Sequence, residues 1–444
     1  MDDRHWRVAL RRGAARIRQI FQPPMQEEGR ATTPAERRRA FQVLFFSLVC
    51  LGSGQSIMFA ILPPVSRDLG LSEFQVGFIF AVSATIWIFS SPFWGHRSDL
   101  YGRRPMMLMG LIAFAISTGL FAAVMWFGLH GFIAMALIYP LMIAARSIYG
   151  VFGSGTFPAA QAYIADRTTR EERATGVATI TAAFGLGVAI GPGIGSLFAR
   201  IDLLAPFFVV AFAALMSALA IYVLLPERTA PREREKIQQQ MSWRDGRLLP
   251  YLVFSTVLNS VGAIPIQTFA FFLIDTLAMP NAQAAEMAGI GLMASSLASL
   301  LAQFVLVQRF HLTPSALIRW GAVIALASNV LFILGSSYAS LIFAMVLSGL
   351  GFGMARPGLG AAASLAVKPE EQGAAAGLMG STGGAGFIFA PIFGNLLYQM
   401  DPHLPYVVGA VLMVALMAYA MVNRRMRDAG TEIEQDPESS VPKS

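Results

Sequence analysis

The sequence predicts an all-α membrane protein, with twelve transmembrane helices arranged as two pseudo-symmetric six-helix bundles. Three observations predict it. Of the 444 residues, 55% are hydrophobic and only 13% charged, where a soluble domain carries about 25% charge. Apolar stretches of spanning length, about twenty residues for ~30 Å of hydrocarbon, recur along the whole chain rather than at a single anchor. They are continuously apolar, without the alternation of a barrel strand, and in lipid only helices and closed barrels satisfy the backbone. Finally, adding 199 to positions in the fourth and fifth stretches carries Pro158 to Pro357, Glu171 to Glu370, Glu172 to Glu371, Gly187 to Gly386, Pro192 to Pro391 and Gly195 to Gly394. An even number of helices separates the copies, so the halves share an orientation and are related by an axis along the membrane normal.

The elements follow in order. Residues 1–40 form a basic tail with ten arginines and no long apolar core, so no cleavable signal peptide is expected and the first span directs insertion. Trp6, Leu10, Ile17 and Phe21 among those arginines fit a helix lying on an anionic membrane surface, and equally an unstructured basic tail. Spans at 41–64, 74–95, 106–128, 132–163, 174–198 and 204–225 make the N-terminal bundle, 41–225. The polar stretch 226–248, containing PERTAPREREKIQQQ, is the linker between the bundles. Spans at 249–274, 286–308, 314–336, 338–366, 373–399 and 405–423 make the C-terminal bundle, 249–423, and residues 424–444 form a second tail.

The net charge of +7 lies in short segments between apolar runs and at the two ends. That is a signal of membrane topology, not of a nucleic-acid surface. With both termini in the cytoplasm, 28 Lys and Arg fall on the inner side and only Arg67 and Arg200 outside, while Arg146, Arg319 and Arg356 fall within helices. Cys50 is the only cysteine and lies in the first span, which excludes an internal disulfide and a cysteine metal site.

Intramembrane polar residues are the candidates for function, because a charge in hydrocarbon costs at least a few kcal/mol unless it faces a cavity or a partner. Arg146 lies near the middle of the fourth span, close to Tyr149, and Arg356 precedes Pro357 in the tenth. Gln55, Asn259, Gln267, Gln303, Asn329 and Asn395, with Phe59, Trp87, Tyr149, Phe269 and Phe272, offer the apolar walls and few hydrogen-bonding groups of a small-molecule cavity. No carboxylate or histidine occupies the centre of a span. Asp99, Asp166, Asp275 and Glu286 sit at helix ends. No histidine–carboxylate cluster or activated nucleophile lies within a span, so an enzyme and a bound cofactor are not expected. In the fifth span, Gly187, Gly191, Pro192 and Gly195 allow close helix approach and a bend.

Between the second and third spans, Gly95 to Pro105 reads GHRSDLYGRRP. Gly95, Asp99, Gly102, Arg103 and Arg104 in this loop resemble the signature of the major facilitator superfamily, with Arg97 where a small apolar residue is usual. The glycines are expected to permit a tight turn, and the charges to form strong hydrogen bonds at a helix terminus. The Gly187–Gly195 stretch, with Ala162–Asp166 and Arg173–Gly176, resembles the tetracycline-exporter-like branch of drug and proton antiporters. The resemblance covers 41–423 and is stronger in the first half. It implies a monomeric secondary transporter of the bacterial inner membrane that exports small organic compounds by alternating access, exchanging them for protons. It also implies that Asp99 latches the cytoplasmic gate, and that Arg146 is the family's fourth-helix arginine, with Tyr149 where a glutamine is expected. The proton carrier stays open: Asp275 or Glu286 lying deeper than the spans suggest, the gate aspartate, or a different scheme. Two other functions stay open as well: uptake or exchange of an anionic metabolite, and a membrane sensor or assembly factor without transport.

Overall fold

The computed structural model describes residues 34–168, 172–225, 241–307, 309, 312–368, 371–427 and 429. The expected surface helix around Trp6 and most of the expected linker lie outside the described residues. Twelve helices are long and apolar enough to cross a membrane. In the N-terminal half these are α1 (Pro34–Asp68), α2 (Glu73–Tyr101), α3 (Arg103–Leu129), α4 (Met135–Ala165), α5 (Arg173–Ala199) and α6 (Ala205–Leu224). In the C-terminal half they are α7 (Leu249–Leu277), α8 (Asn281–Val305), α9 (Pro314–Leu334), α10 (Tyr338–Leu365), α11 (Gln372–Met400) and α12 (Leu404–Val422). The predicted two-bundle fold is observed.

Boundaries shift where local chemistry extends a helix. Helix α1 begins at Pro34, so Arg37, Arg38 and Arg39 form its opening turns rather than a tail. Helix α2 starts at a capping box, in which the Ser72 side chain accepts from the Gln75 amide and Gln75 reaches back to the Ser72 amide. It runs on to Tyr101, through most of the segment expected as a loop. The turn into α3 is made at Gly102 alone, with φ 98° and ψ 161°, a backbone region closed to residues with a Cβ. Gly95, expected to serve the same turn, is instead inside α2 with open space where a side chain would stand.

Side-chain composition separates the lipid face from the interior. Helix α6 exposes Phe208, Phe212, Leu215 and Leu219, and α12 exposes Val407, Val411 and Val414, the long apolar stripes of helices bathed in acyl chains. Glycines mark the close helix approaches inside each half. A methyl at Gly187 or Gly191 of α5 would overlap the backbone of Val49 or Ser53 in α1. In the other half, Gly386 of α11 presses on the Asn259 backbone of α7. The repeat read from the sequence is therefore also a repeat in packing. Small residues do this because, in lipid, helix association depends on van der Waals fit rather than on a hydrophobic drive.

Between the halves, α2 meets α11 and α5 meets α8. The Gly77 position in α2 abuts Pro391 and Asn395, and Gly289 in α8 abuts the Pro192 carbonyl. These packed glycines lie towards the membrane face away from the linker, here called the gate face. The face carrying the linker, the α2–α3 turn and the α10–α11 connection is the linker face.

Candidate functional site

A cavity of about 380 Å³ lies between the halves at mid-height, with walls from α1, α2, α4 and α5 on one side and α7, α8 and α11 on the other. Its walls are mostly apolar and aromatic, including Phe59, Phe80, Trp87, Phe184 and Phe387, with Gln55, Ser83, Ser295 and Ser296 as polar points. Arg146 and Tyr149 complete it. Towards the gate face it is roofed by Phe59, whose ring stands 4.8 Å from Phe80 and 6.1 Å from Phe387.

Arg146 is buried, at 5% exposure. Its Nη2 donates to Gln55 Oε1, and its guanidinium stands 5.4 Å from the Tyr149 ring centre. Tyr149 is itself held between Trp87 at 5.2 Å and Phe114 at 4.9 Å. Among the described residues, no hydrogen-bond partner reaches Arg146 Nε or Nη1. Among the described residues lining the cavity there is no aspartate, glutamate, histidine or lysine.

The other expected site residues are dispersed. Arg356 Nε donates to Asn259 Oδ1 at 2.9 Å, and this pair is outside the cavity wall. Gln267 is buried at 3% exposure and does not line the cavity. Phe269 and Phe272 are also not wall residues: both pack on Phe332 in the core of the C-terminal half. Asn329 donates to the Ala325 carbonyl and Gln303 to Ser299 Oγ, local bonds along their own helices. Helices apolar all round give no sequence sign of which face meets a cavity.

Asp275 and Glu286 stay at the gate face and do not reach the midplane, so the expectation of a deeper carboxylate fails for both. Arg67 Nη2 donates to Asp275 Oδ2 across the halves at 2.7 Å and also pairs with Glu73. Tyr398 donates to the same Asp275 oxygen at 2.9 Å. Arg200 Nε donates to Glu286 Oε1 at 2.9 Å, Asn281 donates to Asp68, and Asn395 Nδ2 donates to the Glu73 carbonyl at 2.9 Å. The described polar links between the halves thus cluster at this one face. The sequence marks Arg67 and Arg200 only as outer-side loop charges. Their partners lie 208 and 86 positions away, which no local pattern reports.

At the linker face the described pairs stay within one half. Arg103 reaches Asp166 at 3.4 Å and Ser98 Oγ at 3.1 Å, and Arg104 donates to the Tyr222 carbonyl. The side chain of Asp99 lies outside the described residues. On this side α5 exposes Thr175, Thr179 and Thr181, and α11 exposes Gln372, Gly373, Gly377, Gly380 and Ser381. Small polar surface of this kind suits water, in contrast to the long apolar stripes of α6 and α12. The stripe of α11 runs on into Gly384 of the cavity wall, so the cavity opens to the linker face.

Arg247 fastens the linker-face corner of the C-terminal half, reaching Asp245 at 2.8 Å and Glu371 at 2.7 Å. Hydrogen bonds from Arg247 hold both carboxyls below the usual carboxylate range. A depressed pKa stabilises the fold fully above the ordinary carboxylate range, about pH 4, and the contribution fades as pH falls through the depressed values. The melting temperature of the wild type is therefore expected to exceed that of Arg247→Gln at pH 7, with the gap closing as pH falls below the ordinary carboxylate range. A gap that does not change with pH would contradict it.

The family model for the Major Facilitator Superfamily matches residues 44–310 and 252–443. The chain belongs to the major facilitator superfamily. It is 27% identical over 377 residues to multidrug resistance protein 1 of Bacillus subtilis (strain 168), covering 83% of this chain and 92% of the relative. It is 22% identical over 392 residues to quinolone resistance protein NorA of Staphylococcus aureus, covering 87% and 96%. Among solved structures, the nucleoside transporter NupG superposes with a TM-score of 0.70 at 15% identity, covering 87% of this chain and 100% of that one. A bacterial homologue of the lysosomal transporter Spinster, in an inward-facing and occupied conformation, superposes at 0.66 with 13% identity, covering 93% and 100%. In this superfamily fold, small-molecule transport across a bilayer is the task the central cavity serves.

Proposed function

We propose that the protein exports small organic compounds across the bacterial inner membrane as a monomer, by alternating access coupled to inward proton movement. The observation that carries the reading is a cavity enclosed by both halves, with described interhalf bonds at one face and a polar cleft at the other. The names of the two curated relatives, which speak of multidrug and quinolone resistance, fit export of such compounds. The excess of Lys and Arg on the linker side supports a cytoplasmic linker face, and on this reading the described state takes up substrate from inside the cell. Alternation then exchanges one closed end for the other, with substrate shifting the balance between two existing states. In the opposite state the α2–α3 segment, with Asp99, Arg103 and Arg104, closes the cytoplasmic side. Proton coupling rests on the family resemblance, and among the described residues no carboxylate lines the cavity wall.

The test is flux into inside-out vesicles containing the protein. Anionic, neutral and cationic aromatic compounds are offered with and without an acidic interior. Accumulation of at least one compound, collapsing when the pH gradient is dissipated, is expected. No flux of any compound would overturn the reading and favour a sensor that kept the fold. Flux indifferent to pH would remove the proton coupling.

A further inference from the structure

The cavity wall carries one cation and, among the described residues, no acid to neutralise it. Arg146 is 95% buried, given its 5% exposure, and two of its three nitrogens have no described hydrogen-bond partner. A buried charge in this position is costly unless something supplies both counter-charge and acceptor atoms. The neighbouring Gln55 supplies an acceptor but no charge. A neutral ligand would do no more than Gln55 does, and a cationic ligand would bring like charges together. A carboxylate supplies both, as an acceptor-only group that forms short, strong bonds to guanidinium.

The rest of the wall defines the remainder of the ligand. Phe59, Trp87, Phe184 and Phe387 offer flat apolar surfaces, and about 380 Å³ lies at the small end of the ~300–1,000 Å³ of drug-sized pockets. Arg356, held by Asn259, is a second cation of the C-terminal half, outside the cavity wall. We infer that the cavity selects monoanionic aromatic carboxylates of one or two rings, with Arg146 as the carboxylate anchor. This rests on the transport reading above but commits to a charge class that the reading leaves open.

Three probes of one shape isolate the charge: 1-naphthoate, 1-naphthamide and 1-naphthylmethylammonium. Their binding to the purified full-length protein in nanodiscs is measured by calorimetry. Wild type is expected to bind the carboxylate about tenfold or more tighter than the amide, the size of one charge-assisted hydrogen bond, and the ammonium weakest. Arg146→Gln should bring the carboxylate-to-amide ratio close to one, while Arg146→Lys should keep the preference at lower affinity. Equal binding of the three, preference for the ammonium, binding of none, or a preference that survives in Arg146→Gln would each overturn the inference. Should Arg146→Gln fail to fold, the wild-type ranking and the Arg146→Lys result decide it. Carboxylate preference without flux of any compound would remove the transport reading and leave the anion site standing. Flux without that preference would do the reverse.

Discussion

Replacing Arg67 by alanine is expected to move the protein from its linker-open state towards a gate-open one. Arg67 is the hub of the gate. It joins Glu73 of α2 to Asp275 of α7, and its guanidinium lies 5.2 Å from the ring centre of Phe271. Side-chain exposures are 31% for Arg67, 10% for Glu73 and 27% for Asp275, so solvent screens the cluster only in part. Without the guanidinium, two carboxylates face each other across the seam and the Arg67–Asp275 bond between halves is gone. A charge-assisted hydrogen bond contributes about 1.5–3 kcal/mol, which the partial exposure reduces to about 1–2 kcal/mol. That is about a tenfold change in the ratio of the two states. In a Cys50→Ser background carrying Ser56→Cys in the cavity wall, a membrane-impermeant maleimide applied from the gate side should react about ten times faster once Arg67 is replaced. An unchanged rate would mean that the ion pairs decorate the gate without holding it.

A leucine at Gly377 is expected to have the opposite effect and to stop transport. In the described state a Cβ there would meet no atom within 4 Å, so the variant should fold and reach the membrane normally. Gly377 lies on the open α11 stripe between Gly373 and Gly384, and the linker side can close only if that stripe meets the other half. Overpacking costs about 1–3 kcal/mol, enough to reduce the closed population by about five- to a hundredfold, and flux should fall with it. Gly289→Leu supplies the counterpart. The atom it would strike is the Pro192 backbone carbonyl, at 2.5 Å from a built Cβ, which cannot swing away as a side chain can. That variant should favour the gate-open state. Normal flux in Gly377→Leu would show that α11 does not take part in closing.

The fold was legible because membrane helices announce themselves in their length and apolar run, and because Pro158, Gly187 and Pro192 recur with their spacing intact. Arg146 was legible for a related reason, since an unpaired charge inside such a run demands an explanation. Less could be read where function depends on meetings between distant residues. Helix periodicity could not tell Phe59, which roofs the cavity, from Phe269, which packs in a half. Nor could it show that Arg67 crosses the seam to Asp275. Gly95 misled for the opposite reason: a glycine in a polar segment suggests a turn, but α2 continues through it, and of the two glycines in that segment Gly102 has the positive φ that demands glycine.

Distances measured across the seam at both ends test the alternation most directly. Spin labels at Asp202 and Ala282 report the gate face, and labels at Leu100 and Gln372 report the linker face, all in the Cys50→Ser background. The gate pair should be mainly short and the linker pair mainly long in the wild type, with both populations reversing together in Gly289→Leu. Pairs that lengthen or shorten in the same direction at both ends, or a linker pair that keeps one distance throughout, would contradict the account.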